Sequence, residues 1–275
     1  MTKRVLTSLA FMAAAASLRG QTPPPAIPTF DVAAIKPSKS LDIGSMVQPG
    51  GRYIADGVTL RMLLKIAYGM HDSQFIGGPD WIDKDRFEIN AKAEGYPDAA
   101  AFVVTARLML RPLLAERFKL VLRSERRELP VYVLTLLKSA RDIGPQFRIS
   151  DERTCGGPAA PLPSSRGGFR PRLEMACGAQ AFSNGIVSAR AQTMATLVVS
   201  ITRFADRLVL DETGLAGKYD WQIFWVPPAL VLDGQQSQGP SMEDAFREQA
   251  GLKLESKRRT VDVFVIEHAE RPVAD

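Results

Sequence analysis

Apolar residues at Leu60, Leu63, Leu64, Ala67 and Tyr68 follow the spacing i, i+3, i+4, i+7, i+8, which is one face of a helix. Thr59 is placed to cap that helix and Gly69 to end it. Residues 86–93 alternate instead, with Phe87, Ile89 and Ala91 on one side, so they predict a strand. Asp98 caps a second helix running to about residue 117, and Pro112 is expected to kink or split it. Residues 30–36 and 52–55 predict strands, with a polar loop over 38–50 and a turn at Gly77-Gly78-Pro79. Residues 119–124 and 129–137 predict a hairpin, its turn at Arg126-Arg127.

The same grammar returns further along. Thr193 caps a helix with Met194, Leu197, Val198 and Ile201 on one face. Residues 186–189, 208–210 and 219–225 read as strands, and Ser241 with Asp244 makes a capping box for a helix through Ala250. Residues 252–255 and 261–267 predict a last hairpin around Arg258-Arg259. At an offset of 132 residues Arg126-Arg127 falls on Arg258-Arg259, and Val131 to Leu134 falls on Val263 to Ile266. At an offset of 134, Gly51, Ala55, Thr59, Leu60 and Leu63 fall on Gly185, Ala189, Thr193, Met194 and Leu197. Matched order across separate blocks predicts an internal duplication. The expected fold class is α+β: a strand-helix-strand-helix-hairpin unit used twice, with two helices on one face of a mixed or antiparallel sheet in each half. The organisation read from the chain is a signal peptide over 1–20 and a Pro-rich spacer over 21–29. Repeat one follows over 30–148, an irregular insert over 149–184 and repeat two over 185–275.

Composition sets the class. Of 275 residues, 45% are hydrophobic and 24% charged, which is ordinary for globular proteins and far from disorder. Lys3 and Arg4 precede an apolar run from Val5 to Leu18, the pattern of a secretory signal and too short to span a bilayer. Ala14-Ala15-Ala16 and Leu18-Arg19-Gly20 are the alternative small-residue ends. The formal charge of +5 falls to +2 once Lys3, Arg4 and Arg19 are removed with the signal, too mild a charge to point to nucleic acid. No later stretch is apolar enough for membrane insertion after signal removal. Two cysteines in an exported chain predict a disulfide between Cys155 and Cys177. It closes a loop of about 23 residues and stabilises by roughly 3 kcal/mol in the chain-entropy description.

No catalytic signature is present: GxSxG, HExxH, GxxxxGK[ST] and GxGxxG are all absent. The Gly214-Leu-Ala-Gly217-Lys218 run reads as a tight turn into a strand, because Glu212 stands where a phosphate loop needs glycine. With His71 and His268 isolated and CxxC spacing absent, no metal site and no cofactor is expected. Asp80, Asp83 and Asp85 flank Trp81 and are candidates for acid–base work, though Lys84 and Arg86 interleave them. Trp221 and Trp225 read as core. Trp81, in a loop after a Gly-Gly-Pro turn, is the candidate binding residue.

The blocks FDVAAIKPSKS, GVTLRMLLKIAYG, IGGPDWIDKDRFEINAKA, LLAERFKLVLRSERRELPVYVL, DETGLAGKYDW and LKLESKRRTVDVFVIEHAERP resemble a soil-associated paralogous family expanded in Acidobacteria. The resemblance runs from about Phe30 to Pro272. It implies an exported protein and brings no established catalytic residues. Each half is also similar to the short N-terminal domain of secretins and TonB-dependent receptors, which are envelope interaction modules.

Three functions are therefore weighed. The first is a non-enzymatic extracytoplasmic module, periplasmic or secreted, that binds an envelope protein or a glycan. The second is a hydrolase using carboxylates such as Asp83 and Asp85. The third is a sensor domain reporting to a membrane partner. Sequence leaves the oligomeric state open.

Overall fold

The computed structural model describes residues 27–139, 143–151, 175–183, 185–227 and 239–274. The expected signal segment and Cys155 lie outside them. Strand β5 (Phe87–Lys92) shows the logic of the first half: Phe87, Ile89 and Ala91 are buried while Glu88, Asn90 and Lys92 are exposed. It lies between β1 (Val32–Pro37) and β3 (Arg52–Val58), and β2 (Gly44–Gln48) adds the far edge, so the antiparallel sheet runs β1-β5-β3-β2. Strand β2 occupies the expected polar loop. An edge strand buries almost nothing, so no alternation marks it in the sequence.

Helix α1 (Leu60–Tyr68) begins where expected: the Met62 amide donates to Thr59 Oγ1 at 3.3 Å, and Gly69 ends the helix at φ 64°. Its apolar face buries Leu60, Leu63, Leu64 and Ala67 against Ile35, Ile89 and Ala55 of the sheet. Each buried leucine contributes about 1.5–3 kcal/mol. Helix α2 (Ala99–Arg117) closes the same core with Phe102, Leu110 and Leu114. It runs through Pro112 without splitting. Met109 and Leu110 before the proline and Leu113 and Leu114 after it are all buried in one core, which holds both segments in line despite the lost hydrogen bond.

The second half has a sheet of the same form. Strands β7 (Phe147–Ile149), β11 (Tyr219–Phe224), β9 (Ile186–Gln192) and β8 (Gln180–Ser183) run in the order β7-β11-β9-β8, all antiparallel. The expected irregular insert thus supplies β8 and the end of β7. Helix α3 (Met194–Thr202) buries Leu197 and Ile201; α4 (Met242–Ala245) runs into a π-turn over Phe246–Ala250, which Gly251 ends at φ 67°. Trp221 and Trp225 are core residues, as expected.

The two predicted hairpins do not form. Strand β6 (Val121–Leu136) and strand β12 (Leu252–His268) are each continuous, and they pair with one another antiparallel over almost their whole length. The Arg126-Arg127 and Arg258-Arg259 clusters sit mid-strand rather than at turns. Charges are tolerated there because the middle of this ribbon is exposed, and neighbouring residues point to opposite faces. Short strands β4 (Phe75–Gly77) and β10 (Val209–Asp211) add in parallel at the two edges, giving a mixed sheet β10-β6-β12-β4. Each edge strand pairs with the long strand of the other half. The cores are shared in the same way: Ile266 and Phe264 pack into the first, Leu134 and Tyr132 into the second.

Ion pairs roof one face of the ribbon. Glu125 takes Arg123 and Arg127, and Glu255 takes Lys253 at 2.5 Å and Lys257 at 2.8 Å. On the same face, directly across the strands from Lys257, Glu255 and Glu125, Val131, Val133 and Val263 are fully buried, with Ile76, Leu129, Leu208 and Leu210 packed against the valine cluster. The two flanking lysines hold the Glu255 carboxyl at about 2, against an ordinary 4.5.

Candidate binding face

Among the described residues, the helices pack against the inner face of the first sheet. On its outer face, strand register builds three rows: Val32–Lys92–Arg52, then Ala34–Asn90–Ile54, then Lys36–Glu88. Alternation forces this, since every second residue of β1, β5 and β3 that is not in the core must point outward. The rows form an open concavity of about 440 Å³ lined by Val32, Ala34, Lys36, Arg52, Glu88, Asn90 and Lys92. Its floor is apolar and its rim carries three cations and one carboxylate. Exposed Met46 and Val32 extend the apolar surface toward both edges of the sheet.

The cations here differ from those elsewhere. Arg61, Arg148, Arg258, Arg259 and Arg271 each meet a carboxylate within 3.2 Å. Arg52 and Lys92 face one another directly across strands, and among the described residues neither has an ion pair or a side-chain hydrogen bond. Lys36 stands opposite Glu88 without closing a salt bridge. Like charges directly opposed in a sheet cost stability.

The second sheet provides the comparison. Its registers place Phe224 opposite Ile186, Gln222 opposite Ser188, and Asp220 opposite Arg148, the positions matching Lys92–Arg52, Asn90–Ile54 and Glu88–Lys36. The cation pair is replaced by two apolar residues. The Lys36–Glu88 counterpart closes: Arg148 donates to Asp220 Oδ2 at 3.2 Å, while the Ala191 amide donates to Oδ1 at 2.9 Å. Ser188, Arg190 and Asp220 are buried, and Arg190 Nη1 donates to the Met175 carbonyl at 3.0 Å. The outer face is therefore charge-compensated and half-buried in the second half, and open with opposed cations in the first.

The residues singled out in the sequence lie elsewhere. Trp81 is 9% exposed: it stacks on Phe118 at 6.4 Å, meets Phe87 edge-on, and is capped by the Arg271 guanidinium at 5.3 Å. The short 3₁₀ turn Asp80–Asp83 rolls its indole inward, so this loop tryptophan is a core residue rather than a contact platform. Asp83 and Asp85 are each held by a different arginine, Arg61 at 2.8 Å and Arg271 at 2.6 Å. Arg61 holds the Asp83 carboxyl below the usual range. His71 caps a 3₁₀ turn, Asp72–Gln74, and His268 pairs with Glu270. The Gly214–Gly217 segment is a turn, with Asp211 Oδ1 accepting from the Thr213 amide and hydroxyl. Among the described residues no group of three or more His, Cys, Asp or Glu side chains is gathered for a metal ion, and no helix is long and apolar enough to cross a membrane. No described cysteine is free; Cys155, the expected partner of Cys177, lies outside the described residues.

Arg52, Lys92 and Lys36 were missed because each alone looks like the solvated side of a strand. Only the register sets Arg52 against Lys92.

No curated protein and no solved structure matches the chain. Residues 61–269, which take in β5 with Glu88, Asn90 and Lys92, match the family described as "Protein of unknown function (DUF3738)", and the chain belongs to that family.

Proposed function

We propose that this protein is a non-enzymatic extracytoplasmic module that binds an envelope protein or glycan on the open outer face of the first sheet. The observation that carries the reading is the cation-rimmed concavity at Arg52, Lys92 and Lys36, whose counterpart in the second half has apolar residues in place of the opposed cations and pairs its arginine with Asp220. A face that leaves opposed cations uncompensated gives up stability, and a ligand supplies what the fold does not. The hydrolase reading needs two converging carboxylates; Asp83 and Asp85 are instead tied to separate arginines. The extracytoplasmic setting rests on the signal-like first twenty residues, on the resemblance to exported proteins, and on the cysteine pair. Titration of the exported, non-reduced protein is expected to find no free thiol, and two reactive thiols would remove the cysteine argument.

A photo-activated cross-linking side chain in place of Asn90 tests the face. In a native envelope fraction it is expected to capture a component that the same probe in place of Lys253, on the ribbon, does not. Equal capture at both positions, or none at Asn90, would overturn the assignment.

A further inference from the structure

We infer that the β1-β5-β3 face is a subsite for an acidic sugar, a uronic-acid residue of a polymeric glycan; the inference rests on the binding-module reading and names its ligand. The groups are complementary to such a sugar one by one. Arg52 and Lys92, neighbours across the strands and unpaired, form a two-cation seat for a carboxylate. Asn90, exposed one row away, offers an amide to the hydroxyls of the same ring, and Glu88, two rows away opposite Lys36, offers a carboxylate to those of the next sugar. Ala34 and Val32 give a low apolar floor for the C–H face of a ring.

The chemistry excludes the simpler occupants. A chain that is only anionic, such as polyglutamate, meets Glu88 as a repelling charge two rows from the cation pair. A neutral glycan leaves the opposed cations uncompensated. A folded protein partner buries roughly 800 Å² per side and would have to extend well past this concavity, whereas a sugar fits within it. Only a ligand with a carboxylate and several hydroxyl donors satisfies both ends. Lys36 lies four residues along β1 from the Val32 row, about 13 Å away, so a second acidic sugar of the same polymer can reach it.

The test uses the full mature chain and polygalacturonate as the probe, followed by calorimetry. Tight binding that weakens with added salt is expected. The decisive variant is Arg52→Glu. It places opposite charges across the strands, so the melting temperature should be unchanged or higher while affinity falls at least tenfold. Arg52→Gln with Lys92→Gln serves if the reversal does not fold. Lys84→Glu, the same charge change at an exposed pair elsewhere, should leave binding unchanged. Equal affinity for methyl-esterified polygalacturonate, inorganic phosphate or polyglutamate would overturn the acidic-sugar assignment. If polygalacturonate fails to bind while the probe at Asn90 still captures an envelope component, this inference falls and the binding reading stands. If both fail, both fall.

Discussion

Glu128 lies directly across the central ribbon from Thr260, the residue 132 positions further on. The edge strands cross over in the same way: Phe75 pairs with Phe264, and Val209 pairs with Tyr132. The halves therefore meet by exchange rather than by simple contact, each lending a long strand to the other's core.

Shared cores predict one cooperative unfolding unit. Ile266 belongs to the second half by sequence and to the first core by packing, so Ile266→Ala should cost roughly 2–5 kcal/mol, as should Leu63→Ala and Leu197→Ala. Calorimetry of the wild type and all three variants should show a single transition each. Two separate transitions, or a loss below about 1 kcal/mol at Leu63 or Leu197, would contradict this packing.

Where burial imposes a pattern, the fold was legible. Phe87, Ile89 and Ala91 alternate because one face of β5 is core, and Leu60, Leu63, Leu64 and Ala67 keep helical spacing because one face of α1 is core. The ribbon was misread because its middle buries little, and paired arginines between two apolar runs look like a turn. A period-two signal was present: Arg123, Glu125 and Arg127, and Lys253, Glu255 and Lys257, each place three charges on one strand face. Trp81 was misplaced for a different reason: loop membership does not report burial, and the indole is drawn in by Phe118 and Phe87. The candidate face needed register, since nothing local to Arg52 or Lys92 reveals that they oppose one another.

The opposed cations make stability and binding pull apart. Arg52→Glu converts a repulsive cross-strand pair into an attractive one and should raise stability by about 0.2–1 kcal/mol. Urea melts check the sign, and a decrease of similar size would mean that the Arg52 charge is already compensated.

Acid should weaken the ribbon in a defined window. The Glu255 carboxyl is held at about 2 in the folded protein by Lys253 and Lys257, against 4.5 ordinarily. A depressed folded value means that the stabilisation is full above the ordinary value and is lost as pH falls toward about 2. Glu255→Gln should therefore flatten the stability profile between those limits and leave the slope at neutral pH unchanged. The difference should shrink in high salt, because the group is exposed. An unaltered acid limb in the variant would remove this residue from the account.

Asp83 separates structure from catalysis. Its two oxygens accept from Arg61 Nε at 2.8 Å and Nη2 at 3.1 Å, while Arg61 Nη1 donates to the Phe75 carbonyl at 2.7 Å. The carboxylate thus orients an arginine that ties α1 to β4. Asp83→Asn keeps one acceptor and removes the charge, and because the pair is partly exposed the stability loss should stay below about 1 kcal/mol. Ligand capture through the Asn90 face should be unaffected, since Asp83 does not line it. A general acid or base would behave otherwise: an amide neither takes up nor releases a proton at neutral pH, so activity would collapse in a protein that still folds. Complete loss of a cellular phenotype in Asp83→Asn, with an unchanged melting curve and intact capture at Asn90, would move the protein from binding to hydrolysis.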